Sequence, residues 1–407
     1  MHQTLLPIER IREARRRAGN LVKTTPLDQS ATFSALCDRA IYLKLENLQK
    51  TGSFKVRGAL NKIQLMAPET RARGLVTASA GNHAQGVAYA AKMIGVGVTV
   101  VMPKTAALSK IQATTGYGAT VVLHGAGYRE AYEHAAVLGE EHGWTFVHAF
   151  DDYDVIAGAG TIGLELLEQL PGLDAVVVPV GGGGLLAGIT TALRGSGSRA
   201  RIIGVEATGT SSLTASMEAG KRIEGSAVSS IADGLATGSV GTIPFEIIRA
   251  GVDSAVQVGE SEIADAILLL LERAKMVVEG AGAASLAACL ANRLPEDASN
   301  VAVVISGGNI DTNLLDRIIN LGLVAQGRLF RFTTRLPDRP GELDRLVHCI
   351  AACNANIHQI RHERALPGLA PTVAVVALEI ETRGLQHIAE IEHTLTQAGF
   401  ELGTQFW

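Results

Sequence analysis

A lysine between apolar neighbours is the first feature of the sequence that points to chemistry. Lys55 lies in the segment Ser53-Phe54-Lys55-Val56, which opens a predicted helix after an apolar run. Removal from water lowers the pKa of an amine, and a lysine that forms a Schiff base needs that lowered pKa. The alternative is an ordinary lysine at a helix start whose ammonium group stays in water.

Two segments of small and polar residues follow apolar runs and are typical of ligand-binding turns. In Ser79-Ala80-Gly81-Asn82-His83, main-chain N–H groups at a helix start can hold a carboxylate, and the Asn82 amide can bond a ligand oxygen. In Ser306-Gly307-Gly308-Asn309, the hydroxyl stands at the end of a predicted strand, where open α/β sheets bind ligands. Ordinary loop and helix-capping chemistry explains either segment when it is taken alone.

A run of four glycines indicates a phosphate site. Gly181, Gly182, Gly183 and Gly184 stand directly between an apolar run and a helical segment that begins at Leu185. A main chain without side chains can wrap a phosphate at a helix N-terminus. The run is neither a dinucleotide fingerprint nor a P-loop. A flexible linker is the alternative, but linkers rarely interrupt a strand and the helix that follows it.

Other catalytic patterns are weak or absent from the sequence. The histidines lack the spacing of a zinc site, and no serine-hydrolase elbow is present. Glu206 is the one candidate for a cation ligand, because it ends a predicted strand and precedes a polar turn. A surface carboxylate at a strand end is the alternative for this residue.

The composition limits the class of protein. The 407 residues contain 47% hydrophobic and 19% charged residues, which excludes a disordered chain and favours two or three domains. The net charge of −4 excludes a generally basic nucleic-acid binder. No apolar run approaches the ~18 residues of a membrane span. The sequence shows no signal peptide at its start and no CxxC pair, so we expect reduced cysteines and a cytoplasmic protein.

Short apolar runs alternate with helical segments and must position these turns. The predicted strands are Ile41–Leu45, Gly74–Ala78, Val98–Met102, Thr120–Leu123, Ala175–Val180, Arg201–Glu206 and Val301–Ile305. Continuous Val/Ile runs are typical of parallel strands buried on both faces, so the alternation predicts an α/β fold. Because more than 300 residues are many for one core, we expect two lobes with a cleft between them.

The pattern changes near residues 322–328. Strands are predicted at Leu329–Leu336, Asn356–Arg364, Val373–Ile380 and Phe400–Phe406, with two helix faces between them: Leu343, Leu346, Val347 and Ile350, then Leu385, Ile388, Ile391 and Leu395. The order βαββαβ predicts a ferredoxin-like unit.

In their order and spacing these segments resemble the fold-type-II (tryptophan synthase β-like) pyridoxal-phosphate enzymes, and most of all the threonine ammonia-lyases (threonine dehydratases). The matching segments are Lys44-Leu45-Glu46-Asn47, Ser53 to Gly58, Ser79 to Gly86, Gly181 to Gly184, and Ser306 to Asn309. The C-terminal unit resembles an ACT domain. The resemblance implies a two-lobe catalytic domain over residues 1–322, with a smaller lobe at about 50–150, and an ACT-like domain over 323–407.

The resemblance also assigns roles to residues of this sequence. It implies that Lys55 forms the internal aldimine and takes the Cα proton, and that Gly181 to Gly184 with Leu185 hold the cofactor phosphate. It also implies that Phe54 and Asn82 contact the cofactor, with Asn82 on the ring hydroxyl oxygen, and that Ser306 faces the pyridine nitrogen. By the same resemblance, Ser79 and the main chain of Ala80, Gly81 and His83 hold the substrate carboxylate. The implied reaction turns threonine into 2-oxobutanoate and ammonia, and serine into pyruvate. A neutral hydroxyl at Ser306 favours β-elimination over transamination, because it does not stabilise a protonated ring as a carboxylate would.

Two departures from the resemblance affect the alternatives. Serine racemases carry a second serine where this chain has Ala80, so racemisation is expected to be minor. Their cation site needs an acidic residue where this chain has Ser212, which puts a metal requirement in doubt. A dehydratase for another β-hydroxy amino acid stays open. An amino-acid sensor with a decayed catalytic lobe is disfavoured, because Lys55 and the glycine run are intact.

The ACT-like unit implies regulation by an amino acid. Its ligand loop would contain Asp338, Gly341 and Leu343, with isoleucine or valine as the natural effector for an enzyme that feeds isoleucine synthesis. The alternative is that the unit serves only contacts between subunits. A homotetramer or homodimer is the expectation from the family.

Overall fold

The computed structural model describes residues 6–210, 212–225 and 228–403. By its internal contacts the chain divides into two compact units, Met1–Thr312 and Asn313–Trp407. The domain boundary predicted at 322/323 falls inside the helix Thr312–Ala325 and stays a prediction.

The first unit alternates strands and helices along most of its length. Its strands are β1 Leu27–Gln29, β2 Ala40–Leu45, β3 Leu75–Ala78, β4 Val98–Met102, β5 Thr120–Leu123, β6 Thr145–Phe146, β7 Ala175–Pro179, β8 Arg201–Ala207, β9 Ser254–Val258 and β10 Asn300–Ile305. Its helices are α1 Ile8–Ala18, α2 Ala31–Cys37, α3 Lys55–Leu65, α4 Pro68–Arg73, α5 Asn82–Ile94, α6 Leu108–Gly116, α7 Tyr128–His142, α8 Tyr153–Gln169, α9 Gly184–Gly195, α10 Leu213–Ala219, α11 Thr242–Gly251, α12 Glu260–Leu269 and α13 Gly280–Leu290. Short 3-10 turns cover Gly19–Leu21, Glu46–Leu48, Lys50–Gly52 and Asp233–Leu235, and a π-helix covers Leu270–Ala274.

Two sheets form the two lobes of this unit. The larger lobe has six strands in the order β1-β2-β10-β7-β8-β9, all parallel except β1, which runs antiparallel to β2. The smaller lobe has four parallel strands in the order β5-β4-β3-β6. In β7 every residue is buried, as its continuous apolar run predicted. The predicted α/β architecture with two lobes is therefore confirmed.

All seven strands predicted in this region form within one or two residues of their predicted ends, whereas three others were not predicted. β1 and β6 are only three and two residues long. β9 pairs only with β8 and is partly exposed over most of its length, so it has no apolar run. Short or edge strands carry little hydrophobic signal, because one of their faces stays in water.

The second unit has the predicted βαββαβ order. Helix α14 Thr312–Ala325 leads into β11 Leu329–Pro337, α15 Glu342–Ala352, β12 Asn356–Glu363, β13 Val373–Glu381, α16 Leu385–Gln397 and β14 Leu402–Gly403. The four strands form an antiparallel sheet in the order β12-β13-β11-β14, which is the ferredoxin-like arrangement.

The core of the second unit differs from the prediction at one helix. Phe332, Leu346 and Ile391 pack in this core, as the periodic pattern predicted. Leu385 does not, because it is the first residue of α16 and is 69% exposed. His387, two residues later, is buried instead. The last predicted strand forms only at Leu402–Gly403, and Phe406 lies outside the described residues.

Two further predictions concern the whole chain. All four cysteines, Cys37, Cys289, Cys349 and Cys353, lie in the described part and are unpaired there. No helix among the described residues has both the length and the apolar character needed to cross a membrane.

Candidate active site

One cavity of about 520 Å³ in the first unit brings together the predicted cofactor and substrate residues. Its walls include Phe54, Lys55, Ser79, Ala80, Gly81, Asn82, His83, Gly181, Gly182, Gly183, Gly184, Leu185 and Ser306. The turns that carry them follow β3, β7 and β10, while Lys55 opens α3. β7 and β10 are neighbours in the six-stranded sheet, so the turns at their carboxyl ends lie side by side. β3 belongs to the four-stranded sheet, and the turn at its carboxyl end lines the same cavity from the smaller lobe.

Lys55 is the first residue of α3 and is partly buried in the cavity wall. Its Nζ donates a hydrogen bond to the carbonyl oxygen of Ala149 at 3.0 Å and lies 5.2 Å from the centre of the Phe54 ring. Burial lowers the pKa of this amine to about 8, and the nearby charge of Glu279 only partly opposes the shift. The amine is therefore far easier to deprotonate than an exposed lysine.

A network of buried charges fixes the start of α3 behind Lys55. The Arg57 guanidinium binds Glu46 through Nε and Oε2 at 2.8 Å and Glu165 through Nη1 and Oε1 at 2.6 Å. Lys44 Nζ binds the other Glu165 oxygen at 2.5 Å. All four side chains are buried, so their charges are compensated within the protein.

The glycine loop between β7 and α9 fits a phosphate group. A Cβ at Gly181 would lie 2.9 Å from the carbonyl oxygen of Gly234, and a Cβ at Gly182 would overlap the Phe150 ring. Gly183 has φ +85°, a conformation that favours glycine, and it caps α9. The loop therefore lies against the protein on one side and presents main chain to the cavity, beside the N–H groups of a twelve-residue helix.

The turn between β3 and α5 presents main chain at a helix start. Ser79 N donates to the carbonyl oxygen of Val101 at 3.1 Å, and the Ser79 hydroxyl accepts from Gly81 N at 3.1 Å. Helix α5 begins at Asn82, so its first N–H groups have no partners within the helix. This arrangement fits a bound carboxylate.

The His83 side chain belongs to the wall rather than to proton transfer. Its Nε2 lies 2.9 Å from the carbonyl oxygen of Val147. Burial, with the charge of Lys55 as the second cause, lowers the pKa of His83 to about 3. The imidazole is therefore neutral near pH 7, and its Nε2–H donates to Val147.

Ser306 places a neutral hydroxyl at the end of β10. The side chain is buried, and its Oγ lies 3.4 Å from the carbonyl oxygen of Ala281. The main-chain oxygen of Ser306 accepts from Phe54 N at 3.1 Å, which ties the lysine segment to this strand end.

Sequence reasoning missed a buried carboxylate in the cavity. Glu279 lies directly before α13, and its Oε1 accepts from Asn82 Nδ2 at 2.5 Å. Burial and the negative charge of Asp233 raise the pKa of Glu279 to about 7. The only signal in the sequence is a lone acidic residue between the apolar pair Val277-Val278 and a run of small residues.

An ion pair at the rim of the cavity was also missed. Lys110 on α6 of the smaller lobe and Asp233 of the larger lobe both line the cavity, and Lys110 Nζ lies 2.5 Å from Asp233 Oδ2. The Asp233 side chain is 60% exposed, so the pair faces solvent. Nothing in the sequence links these two residues, which are 123 positions apart.

Glu206 does not line this cavity. The Glu206 carboxylate is buried and accepts from Leu213 N at 2.9 Å, Thr214 N at 3.2 Å and Gln257 Nε2 at 2.8 Å. Among the described residues, no cluster of three or more His, Cys, Asp and Glu side chains could hold a metal ion.

The effector residues are all in the second unit. Asp338 Oδ1 pairs with Arg364 Nε at 3.0 Å, and Gly341 is the N-cap residue of α15. Leu343 packs against the core of that unit.

Comparisons with known proteins agree on one family. The profile described as "Pyridoxal-phosphate dependent enzyme" matches residues 19–307. An L-threonine ammonia-lyase of Thermotoga maritima is 48% identical over 98% of this chain and 99% of its own length.

Two solved structures have the same fold as the first unit. Maize serine racemase superposes with a TM-score of 0.74 at 34% identity, over 79% of this chain and 99% of that one. Threonine deaminase isoform 2 of Solanum lycopersicum superposes with a TM-score of 0.73 at 35% identity, over 77% of this chain and 92% of that one. The lysine, the glycine cradle and the hydroxyl at the strand end fit the cofactor of this family. The chain therefore belongs to the pyridoxal-phosphate dependent enzymes, among the L-threonine ammonia-lyases.

Proposed function

We propose that this enzyme converts L-threonine to 2-oxobutanoate and ammonia, and L-serine to pyruvate and ammonia. The observation that carries the proposal is that the Lys55 amine, the Gly181–Gly184 loop and the Ser306 hydroxyl line one cavity. The similarity to the L-threonine ammonia-lyase of Thermotoga maritima supports threonine as the substrate.

Pyridoxal phosphate supplies electron withdrawal from the Cα atom of the bound amino acid. The Lys55 amine then has the chemistry to take the Cα proton, because its pKa of about 8 leaves a substantial neutral fraction near that pH. Its hydrogen bond to Ala149 and the fixed first turn of α3 hold the amine at one place in the cavity wall.

The substrate carboxylate is assigned to the turn between β3 and α5. The Ser79 hydroxyl and the main chain from Ala80 to His83 would bind it, with the N–H groups of α5 directed at the negative charge. Leu185 and the four glycines would hold the phosphate at the start of α9 in the same way.

Ser306 favours elimination as the outcome. A hydroxyl at this position carries no charge, whereas a carboxylate would stabilise positive charge on the group it faces. Weaker electron withdrawal favours early loss of the β-hydroxyl over a long-lived charge at Cα.

Serine racemisation is the second candidate, because maize serine racemase has the same fold as the first unit. We expect it to be minor in this chain. Ala80 lines the cavity with a methyl group, so it offers no hydroxyl to serve the opposite face of Cα.

The first test is product formation from purified enzyme loaded with pyridoxal phosphate. We expect steady release of 2-oxobutanoate from L-threonine, slower formation of D-serine than of pyruvate from L-serine, and no turnover in Lys55→Ala. Lys92→Ala is the matched control, because Lys92 is exposed on α5. Equal turnover in Lys55→Ala would contradict the role of Lys55. Absence of 2-oxobutanoate from the loaded wild-type enzyme would contradict the substrate.

We also propose that the second unit is an ACT-like regulatory domain that binds isoleucine or valine near Asp338, Gly341 and Leu343. The ferredoxin-like sheet and the position of the loop between β11 and α15 support this assignment. A dimer or tetramer is proposed with it, since ACT-like domains bind amino acids between paired copies. A cytoplasmic location is proposed from the four unpaired cysteines.

The regulatory proposal is tested on the full chain. Isoleucine and valine are titrated by calorimetry against wild type and Asp338→Ala, and the molar mass is measured by light scattering with and without each amino acid. We expect binding and a change in turnover in wild type that Asp338→Ala weakens. Lack of any heat or rate response to either amino acid would contradict the proposal.

A further inference from the structure

We propose that Glu279 is a positioning residue that fixes the Asn82 amide with its nitrogen, rather than its oxygen, available to an oxygen atom of the bound cofactor. The inference rests on the proposed function and deepens it, because it explains how one cofactor contact is oriented.

The orientation of Asn82 follows from a chain of hydrogen bonds with an acceptor at each end. Asn309 Nδ2 donates to the carbonyl oxygen of Thr51 and to Asn82 Oδ1, both at 2.7 Å. Asn82 Nδ2 in turn donates to Glu279 Oε1 at 2.5 Å. A main-chain carbonyl can only accept a hydrogen bond, and the same is true of an ionised carboxylate. Both amides therefore have a single orientation that satisfies the whole chain.

The main chain holds the two ends of this hydrogen-bond chain in place. Thr51 has φ 62° and ψ 11°, a left-handed conformation that is unfavourable for a β-branched residue, and such strain persists only where the surroundings impose it. At the other end, Glu279 N donates to the carbonyl oxygen of Gly307 at 3.2 Å. A Cβ at Gly307 would overlap Glu279 Oε1 and would lie 3.2 Å from Asn82 Nδ2. The lack of a side chain at Gly307 thus makes room for the carboxylate and the amide.

This arrangement leaves the second N–H of Asn82 for the cavity. The cofactor ring carries an oxygen that can accept a hydrogen bond, and an amide oxygen in the same place would repel it. Glu279 acts through Asn82, so a variant that keeps an acceptor at this position should keep the cofactor contact.

The charge of Glu279 adds a pH dependence. Burial and Asp233 raise the pKa of this carboxyl to about 7, while Asn82, Lys110 and Lys55 oppose the shift. The carboxyl therefore changes charge near neutral pH, whereas a glutamine at the same position would not. The two contributions, acceptor and charge, can be separated by substitution.

The experiment measures the affinity of the full-length apoprotein for pyridoxal phosphate between pH 5.5 and 9, by absorbance and fluorescence titration. Wild type, Glu279→Gln, Glu279→Ala, Asn82→Ala and the double variant Glu279→Ala/Asn82→Ala are compared. The charge control is Glu246→Gln, whose side chain is partly exposed on α11. Glu246 pairs with Arg249 on the same helix and does not line the cavity. Thermal unfolding of each apoprotein shows which variants fold.

We expect Glu279→Ala to weaken cofactor binding by about tenfold or more, since an amide donor loses its charged acceptor. Glu279→Gln should bind nearly as well as wild type but lose the change in affinity and visible spectrum near pH 7. In the Asn82→Ala background, Glu279→Ala should have little further effect, because the two residues act as one unit.

Three results would overturn the inference. They are full affinity in Glu279→Ala, an unchanged pH transition in Glu279→Gln, or an equal loss from Glu279→Ala with and without Asn82. Each is distinct from a failure of the proposed function, which would show in the wild-type enzyme as no bound cofactor or no 2-oxobutanoate.

Discussion

Lys110 and Asp233 join the two lobes of the catalytic unit at the rim of the cavity, with Nζ and Oδ2 2.5 Å apart. Lys110 is on α6 beside the four-stranded sheet, and Asp233 is in the 3-10 turn Asp233–Leu235 of the larger lobe. Because both residues also line the cavity, a bound substrate lies within the field of this ion pair. The pair therefore links the two lobes beside the substrate site.

Breaking this ion pair should weaken substrate binding more than catalysis. We expect Lys110→Met to raise the KM for threonine about two- to fivefold, the range set by 0.5–1 kcal/mol for a solvent-exposed pair, with a smaller change in kcat. Asp233→Asn should act in the same direction, and the double variant should be no worse than either single one. Steady-state kinetics in low and high salt measure this effect, since salt screens an exposed pair.

Lys104→Met is the matched control for the ion pair. Lys104 is exposed in the same lobe and does not line the cavity. Additive effects of Lys110→Met and Asp233→Asn would contradict a role of this ion pair in substrate binding. So would a wild-type KM for threonine that does not change with salt.

The lowered pKa of Lys55 predicts how fast apoprotein takes up the cofactor. Only the neutral amine attacks the aldehyde, so the rate should rise about tenfold per pH unit well below pH 8 and level off above it. Stopped-flow absorbance between pH 6 and 10 measures the rate. An exposed lysine amine has a pKa of about 10.4, so the same reaction with Nα-acetyl-lysine, whose ε-amine is free, should still accelerate at pH 10. A protein profile that also keeps rising to pH 10 would show that burial does not shift Lys55.

The glycine loop predicts a substitution and its rescue. Gly182→Ala should weaken cofactor binding at least about tenfold, because the added methyl group would overlap the Phe150 ring and displace the loop. Phe150→Ala in the same chain should restore part of the affinity, since the three atoms nearest to this methyl group's position all belong to the Phe150 ring. Gly116→Ala in α6 is the control, because nothing lies within 4 Å of its added carbon. Cofactor titration measures the rescue. If Phe150→Ala restores no affinity, overlap with the Phe150 ring is not the cause of the loss in Gly182→Ala.

The surroundings of Glu206 predict that chelation leaves activity unchanged. Two main-chain N–H groups and the Gln257 amide already donate to this carboxylate, so a cation would have to displace them. Glu206→Gln should instead lower the free energy of unfolding by about 1–3 kcal/mol, since it places an NH₂ group against N–H donors. Activity after dialysis against EDTA, and thermal unfolding of the variant, measure the two effects. Loss of activity that magnesium restores would contradict the prediction.

The strands and turns that build the site were predictable because burial of a strand leaves a simple pattern of apolar residues in the sequence. A parallel strand buried on both faces needs a continuous apolar run, and the residue after the run falls at the carboxyl edge of the sheet. Gly181 and Ser306 follow such runs on neighbouring strands of one sheet, so their proximity follows from the architecture. Ser79 follows a run in the other sheet and joins them because residues of both lobes line the cavity.

The residues that sequence reasoning missed act through contacts that no local pattern records. Glu279 and Asn82 are 197 positions apart and meet only because α13 and α5 begin at the same cavity. Leu385 shows the opposite error, a local pattern that predicted a contact the structure does not make. Its spacing matches a helix face, but its side chain at the start of α16 is exposed while His387 in the same turn is buried. Periodicity alone does not show which residues of a helix end are covered.

The buried charges around Arg57 have a consequence for the protein without its cofactor. Arg57 follows Lys55 by two residues, and its partners Glu46 and Glu165 do not line the cavity. The network that holds the start of α3 therefore uses no side chain that lines the cofactor cavity. Because this network needs no contact with the cofactor, we expect the apoprotein to stay folded after the cofactor is removed and to bind it again.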